Sequence, residues 1–129
     1  MRLLLDTHVF LAVVNERRDQ LDPTLRRLLQ DPAGEFHVSV ASLWEIAIKH
    51  RLGKLTLLVE LETLPETVAA MGADLIAITA RHVLAQADPE PPTCDPFNRL
   101  LLSQCQTEGL RLMTIDRALV GHPLAARAG

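Results

Sequence analysis

Four acidic residues lie where predicted strands or helices would bring them to one crevice. Two of them, Asp6 and Asp116, end the buried strands predicted for LLLD and LMTID. Ligands of an open parallel sheet bind beyond the carboxyl ends of its strands, so these carboxylates are expected together if their strands are neighbours. Glu45, within a predicted helix, and Asp95, at the start of another, join them if both helices face that crevice.

Clustered carboxylates of this kind indicate a metal site. They repel one another unless a cation lies between them, and hard oxygen ligands favour Mg²⁺ or Mn²⁺ over zinc. Such a metal activates a bound water and neutralises charge on a phosphodiester. The chemistry indicated is therefore metal-dependent hydrolysis of nucleic acid.

Each acid also has a purely structural interpretation. Asp6 is placed to cap the turn after its strand, and Asp116 to cap a short final helix in RALVG. Glu45 is four residues before Lys49, the spacing of a solvated helical ion pair. Asp95 is a good N-cap in any case. The prediction of a site therefore depends on the arrangement of the four acids and not on any one of them.

The elements that must position these acids alternate between strand and helix. Strands are predicted for RLLLD (2–6), FHVSV (36–40), DLIAI (74–78) and LRLMTID (110–116). Helices are predicted for DPTLRRLLQ (22–30), SLWEIAIKHRLG (42–53), TARHVLAQA (79–87) and a segment from Asp95 to near Gly109, with a proline-rich loop at DPEPPTC (88–94). This alternation is typical of a three-layer α/β domain with a mainly parallel sheet.

The composition fits one globular domain covering residues 1–129. Hydrophobic residues make up 48% and charged residues 22%, which excludes a disordered chain. The apolar runs are too short for a membrane span and no signal-peptide cleavage site follows the first of them, so a cytoplasmic protein is expected. Aromatic residues, at 3%, argue against a base-stacking surface. Cys94 and Cys105 are too far apart along the chain to bridge and are expected to be free thiols.

Four segments resemble, in order and spacing, the PIN-domain ribonucleases, and specifically the VapC-like toxins of bacterial toxin–antitoxin pairs. They are LLLDTHVFL, SVASLWEIAIKHRLGKL, DPFNRLLLSQC and LRLMTID, and the resemblance spans nearly the whole chain. It implies an α/β/α sandwich that binds Mg²⁺ or Mn²⁺ and cuts RNA. It also implies a cognate VapB-like antitoxin that holds the toxin inactive, and commonly a homodimer.

The resemblance assigns roles to particular residues. The first family acid matches Asp6, with Thr7 beside it, and the helix acid matches Glu45. The acid after the last core strand matches Asp116, and Thr114 matches a hydroxyl near the metal.

The third family acid is the point of departure. Many relatives have DPFDR, and the second aspartate of that pattern aligns with Asn98, leaving Asp95 as the carboxylate in this segment. An asparagine carbonyl can coordinate Mg²⁺ or hold a metal-bound water but brings no charge. Asp95 supplies the missing negative charge if one of its carboxylate oxygens caps the helix and the other stays free to face the crevice. The alternative is that Asn98 marks a weakened or inactive nuclease.

The net charge bears on whether a polyanion can bind. The formal charge is −3 and the pI about 5.9, which oppose RNA binding. Of 16 acidic residues, the four predicted to face a metal leave 12 against 13 lysines and arginines. The predicted RNA-binding cations are Lys49, Arg51, Lys54 and Arg99, although a solvated surface explains them equally well.

Two other functions remain open from the sequence. A catalytically silent PIN-like module that binds an antitoxin or RNA has every fold-level feature of the enzyme, and metal binding separates the two. A metal-dependent phosphatase is less well supported, because His8 stands in LDTHV where a second acid is required.

Overall fold

The computed structural model describes residues 1–127, which form four strands and six α-helices. The strands are β1 (Arg2–Leu5), β2 (Glu35–Ser39), β3 (Asp74–Ile76) and β4 (Arg111–Met113). The helices are α1 (Thr7–Val14), α2 (Pro23–Gln30), α3 (Val40–Arg51), α4 (Leu64–Ala70), α5 (Ala80–Leu84) and α6 (Pro96–Glu108). Single 3₁₀ turns lie at Arg18–Gln20 and Leu61–Thr63.

The four strands form one sheet in the order β3-β2-β1-β4, and every pair is parallel. Strand β1 is central, so Leu5 pairs with Val38 on one side and with Met113 on the other. The strands that end beside Asp6 and Asp116 are therefore neighbours, as the predicted crevice requires. The prediction of a three-layer α/β domain with a mainly parallel sheet is confirmed.

Alternation along β1 divides the core between the two faces of the sheet. Leu3 and Leu5 pack into a cluster with residues of α1, α2 and α4, including Phe10. Leu4 points to the opposite face and packs against α6, including Leu101. Helices thus cover both faces, which is why the three β1 residues after the exposed Arg2 are all leucine.

Local signals placed the helix ends well. Asp22 caps α2 through the backbone N–H of Leu25, and Pro23 occupies its first position, as predicted. Asp95 and Pro96 play the same parts in α6. Helix α6 ends at Gly109, whose φ of +70° is a left-handed conformation that glycine adopts without strain.

Several predicted elements are longer than the observed ones. Ser39 caps α3 through the N–H of Ala41, so Val40 begins the helix and is not part of the strand. Strand β3 stops at Ile76 because its pairing with β2 ends at Ser39. Strand β4 stops at Met113, where β1 also ends.

Helix α5 is likewise shorter than predicted, and helix α4 was not predicted. The carbonyl of Ala85 accepts a hydrogen bond from the Ser103 hydroxyl, and that of Gln86 accepts one from Gln106. Ala85 is extended, so α5 ends at Leu84, and these contacts with α6 satisfy the carbonyl groups of the residues that follow it. The 88–94 segment is irregular, as its prolines predict.

Two further expectations concern the cysteines and the membrane. Cys94 and Cys105 are both free thiols, as predicted, and burial raises the pKa of Cys105 to about 12. Among residues 1–127, no helix has the length and apolar character needed to cross a bilayer.

Candidate active site

The register of β1 against β4 brings the residues after both strands together. The backbone N–H of Asp6 donates to the carbonyl of Met113 at 2.9 Å, so Asp6 lies beside Thr114 at the carboxyl ends of the two strands. The Thr114 hydroxyl accepts the N–H of Asp116 at 3.0 Å and lies near the Asp6 carboxyl, whose pKa it lowers. Thr114 therefore links the two aspartates that the sequence placed at one crevice.

Asp6 is an ionisable group in a nearly dry position. Its residue is 2% exposed, and its Oδ1 accepts the N–H of Val9 at 2.8 Å, which makes it the N-cap of α1. Burial raises the pKa of the Asp6 carboxyl, although hydrogen bonds from Thr114 and Val9 oppose the rise. A cation at this position would favour the ionised form, because the protein leaves the buried charge only partly compensated.

Asn98 reaches the second aspartate directly. Its Nδ2 donates to Oδ2 of Asp116 at 3.1 Å, and the other carboxylate oxygen of Asp116 accepts the N–H of Ala118 at 2.9 Å. The uncharged Asn98 amide, at the start of α6, therefore lies beside the Asp116 carboxylate. An acidic residue at position 98 would place two negative charges next to each other.

Glu45 lies on the buried face of α3 and already has a cationic partner. The residue is 4% exposed, and its Oε2 lies 2.6 Å from Nζ of Lys49. One turn before it, Ser42 accepts a hydrogen bond from the hydroxyl of Thr7 at 3.0 Å in a buried contact. This contact fixes the Glu45 helix against the residue that follows Asp6. Ser42 was not among the predicted site residues, although its position three residues before Glu45 puts it on the same face.

The only tryptophan connects α3 to α6. Trp44 is 59% exposed, and its ring meets Phe97 edge to face, with centroids 5.7 Å apart and planes at 73°. Because Trp44 precedes Glu45 and Phe97 precedes Asn98, this contact holds together the two helices that carry predicted site residues.

Asp95 acts as the predicted N-cap. Its Oδ1 accepts the N–H groups of Phe97 at 2.9 Å and of Asn98 at 3.4 Å. Within residues 1–127, its carboxylate makes no hydrogen bond to the side chain of another predicted site residue. A metal-binding or catalytic role for Asp95 stays a prediction.

The predicted RNA-binding cations are not equally available. Lys49 is paired with Glu45, and the guanidinium of Arg99 bonds the carbonyl of Thr93 and the carboxylate of Glu90 in the proline-rich loop. Arg51 and Lys54 are exposed beyond the Glu45 turn of α3.

The donor atoms at the crevice suit a hard cation. Asp6 and Asp116 supply carboxylate oxygens, and the Asn98 amide carries a carbonyl oxygen, which are ligands that Mg²⁺ and Mn²⁺ prefer. In the part of the chain described, no group of three or more histidine, cysteine, aspartate or glutamate side chains is close enough to hold a metal. The predicted metal set of Asp6, Asp95 and Asp116 therefore stays a prediction.

Substitution of Asp95 separates its two possible roles. We expect Asp95→Ala to lower the free energy of unfolding by ~0.5–2 kcal/mol because the α6 cap is lost, and Asp95→Ser to lower it less because serine caps well. Urea unfolding followed by Trp44 fluorescence measures both. If Asp95→Ser also keeps full metal-dependent activity, Asp95 is only a cap.

The domain has an open parallel sheet covered by helices on both faces, with two aspartates at the carboxyl ends of adjacent strands. Proteins of this class bind their ligands beyond that edge of the sheet. Residues 3–121 match the family model of the PIN domain. The chain therefore belongs to the PIN domain family, whose members are generally metal-dependent nucleases. No curated protein matches it significantly.

Proposed function

We propose that this protein is a Mg²⁺- or Mn²⁺-dependent endoribonuclease that acts as the toxin of a toxin–antitoxin pair. The observation that carries the nuclease proposal is the pair of aspartates joined through Thr114 at the ends of β1 and β4. A buried Asp6 carboxylate with a raised pKa and a half-buried Asp116 form a natural position for a divalent cation. Family membership supports the same chemistry.

Asp6 and Asp116 are the residues proposed to hold the metal, with Asp95 as a further candidate. When bound, the metal supplies an activated water and neutralises charge on the scissile phosphodiester. Asn98 positions Asp116 by donating from Nδ2, and the carbonyl oxygen of the same amide can accept from a metal-bound water or ligate the metal without adding charge. Thr114 lies between Asp6 and Asp116 in the crevice and accepts the backbone N–H of Asp116.

Glu45 and the exposed cations have supporting parts in this proposal. Glu45 lies behind the crevice, and Lys49 beside it balances its buried charge. Arg51 and Lys54 extend from the same helix end and are proposed to contact RNA phosphates.

The toxin role rests on the resemblance of four segments to VapC-like proteins. It entails a cognate VapB-like antitoxin and, commonly, a homodimer. An arginine of the antitoxin is proposed to pair with the aspartates in a bidentate contact that replaces the charge of the metal. Co-purification with a small protein encoded beside this one would support this role, and harmless expression without such a partner would contradict it.

A silent PIN-like module is the second candidate, and specific contacts favour it. Asp116 is held by an amide where relatives have an acid, and Glu45 is neutralised by Lys49. These contacts satisfy the carboxylates within the protein, which reduces the need for a metal at this site.

Cleavage in defined metal conditions tests the enzyme. We expect purified protein without antitoxin to cut single-stranded RNA in Mg²⁺ or Mn²⁺ and to be inactive in EDTA, because the aspartates alone supply no activated water. Gel analysis of end-labelled RNA measures cleavage, and Asp6→Asn serves as the matched control. Equal cleavage by wild type and control would remove Asp6 from the site, and no cleavage in any metal would favour the silent module.

A further inference from the structure

A cavity lies near the crevice that contains Asp6 and Asp116, on the side of helix α1. Its volume is about 250 Å³, and His8 and Ile115, which line it, are neighbours in sequence of Asp6 and Asp116. Its remaining lining residues are Leu11, Ala12, Asn15, Arg17, Gln20 and Leu21. The cavity therefore adjoins the segments that carry Asp6 and Asp116.

The lining of this cavity is half polar and half apolar, and Arg17 is its one arginine or lysine in the described part of the chain. Arg17 is exposed, and within residues 1–127 no carboxylate lies at ion-pair distance from its guanidinium. Among the residues that the structure describes, no acidic side chain lines the cavity, although the chain as a whole carries a net charge of −3. Two of the four cations first predicted to bind RNA, Lys49 and Arg99, are instead paired with carboxylates.

The backbone around Arg17 is held in an unusual conformation. Glu16 has a φ of +56°, in the left-handed region that glycine normally occupies at the end of a helix. The N–H of Arg17 donates to the carbonyl of Ala12 at 2.7 Å, and that of Glu16 to Val13 at 3.2 Å, which completes the helix-terminating turn. Such strain persists where the surroundings impose it and is enriched at functional positions.

A side-chain contact secures this turn from the other direction. Asn15 donates from Nδ2 to the carbonyl of Thr56 at 2.9 Å and accepts the N–H of Leu58 at 3.0 Å. The backbone that carries Arg17 is therefore fixed at both the helix end and the neighbouring loop, so binding an anion requires ordering of the Arg17 side chain alone.

We infer that this cavity binds the backbone of single-stranded RNA next to the bond to be cut, with Arg17 contacting a phosphate. The inference rests on the proposed nuclease function. A guanidinium pairs with a phosphate through two parallel hydrogen bonds, and a site beside Asp6 and Asp116 holds the nucleotide adjacent to the reacting one. Arg17 is a substrate-positioning residue in this arrangement.

A neighbouring arginine supplies a matched control. Arg18 is also exposed but does not line the cavity, so Arg17→Ala and Arg18→Ala remove the same charge from adjacent positions. Binding of a short fluorescein-labelled single-stranded RNA of mixed sequence is measured by anisotropy in EDTA, where no cleavage occurs. We expect Arg17→Ala to weaken binding about tenfold and to reduce the slope of log Kd against log salt by ~0.7, the value for one phosphate contact.

Cleavage kinetics give the second readout. In Mg²⁺, Arg17→Ala is expected to raise KM with little change in kcat, Arg17→Lys to restore part of the loss, and Arg18→Ala to behave as wild type. Wild-type cleavage with equal values for the two alanine variants would overturn this inference alone. A wild type that neither binds nor cuts RNA would overturn the proposed function as well. A changed oligomeric state in Arg17→Ala would assign the cavity to a protein contact and overturn the inference.

Discussion

Asp6→Asn is expected to abolish metal-dependent RNA cleavage while leaving the protein at least as stable as the wild type. Loss of a proposed metal ligand should exceed the roughly 10–100-fold reduction typical when a partner of a metal ligand is removed. Asparagine keeps an acceptor oxygen for the N–H of Val9, so the cap of α1 is preserved. Retention of metal-dependent cleavage by this variant would remove Asp6 from the site.

The stability part of this prediction follows from the raised pKa of Asp6. The contribution of Asp6 to the free energy of unfolding is fully present below pH 3.8, the ordinary pKa of its carboxyl group. This contribution is lost as the pH rises through the higher pKa that the group has in the folded protein. In metal-free protein, Asp6→Asn should therefore show a stability gain at neutral pH that disappears toward pH 3.8. Urea unfolding in EDTA, followed by Trp44 fluorescence, measures this difference.

Two comparisons sharpen the test. Asp6→Ala also removes the buried charge but loses the cap, at a cost of ~0.5–2 kcal/mol, and should be less stable than Asp6→Asn. Added Mg²⁺ should raise the melting temperature of the wild type and not that of Asp6→Asn, since a ligand stabilises only the folded state that binds it. An equal Mg²⁺ effect on both proteins would place the metal elsewhere.

Asn98→Asp is expected to have opposite effects without and with metal. The new carboxylate would stand where the amide now lies, 3.1 Å from the Asp116 oxygen, so repulsion should destabilise the metal-free protein at neutral pH. With Mg²⁺ present the added charge should increase metal affinity about tenfold or more and raise the cleavage rate. Calorimetric titration with Mg²⁺ measures the affinity.

The control for this substitution is Asn98→Ala, which removes the amide without adding charge. If both variants respond to Mg²⁺ in the same way, the charge at position 98 is irrelevant. Cleavage gained by Asn98→Asp from an inactive wild type would identify a silenced nuclease. An active wild type that becomes faster would identify a weakened one, and an unchanged rate would leave Asp95 as the better candidate for the third carboxylate.

Local sequence determined most of the framework of this site. Leu3, Leu4 and Leu5 are consecutive apolar residues because β1 is covered on both faces there, and the aspartate after them both ends the strand and caps α1. Asp95, Pro96 and Gly109 set the ends of α6 through contacts within a few residues. Such signals depend on near neighbours in the chain, which is why the helix caps were predictable, whereas the ends of β2, β3 and β4 depended on strand pairing.

Tertiary structure decided which side chains meet. The sequence could not show that the Asn98 amide, and not the Asp95 carboxylate, contacts Asp116, because that contact depends on how α6 packs beside β4. It equally could not show that Arg99 is tied to the proline-rich loop or that Arg17 borders a cavity beside Asp6. These contacts join residues far apart in the chain, and their geometry follows from strand register and helix packing, which no local pattern specifies.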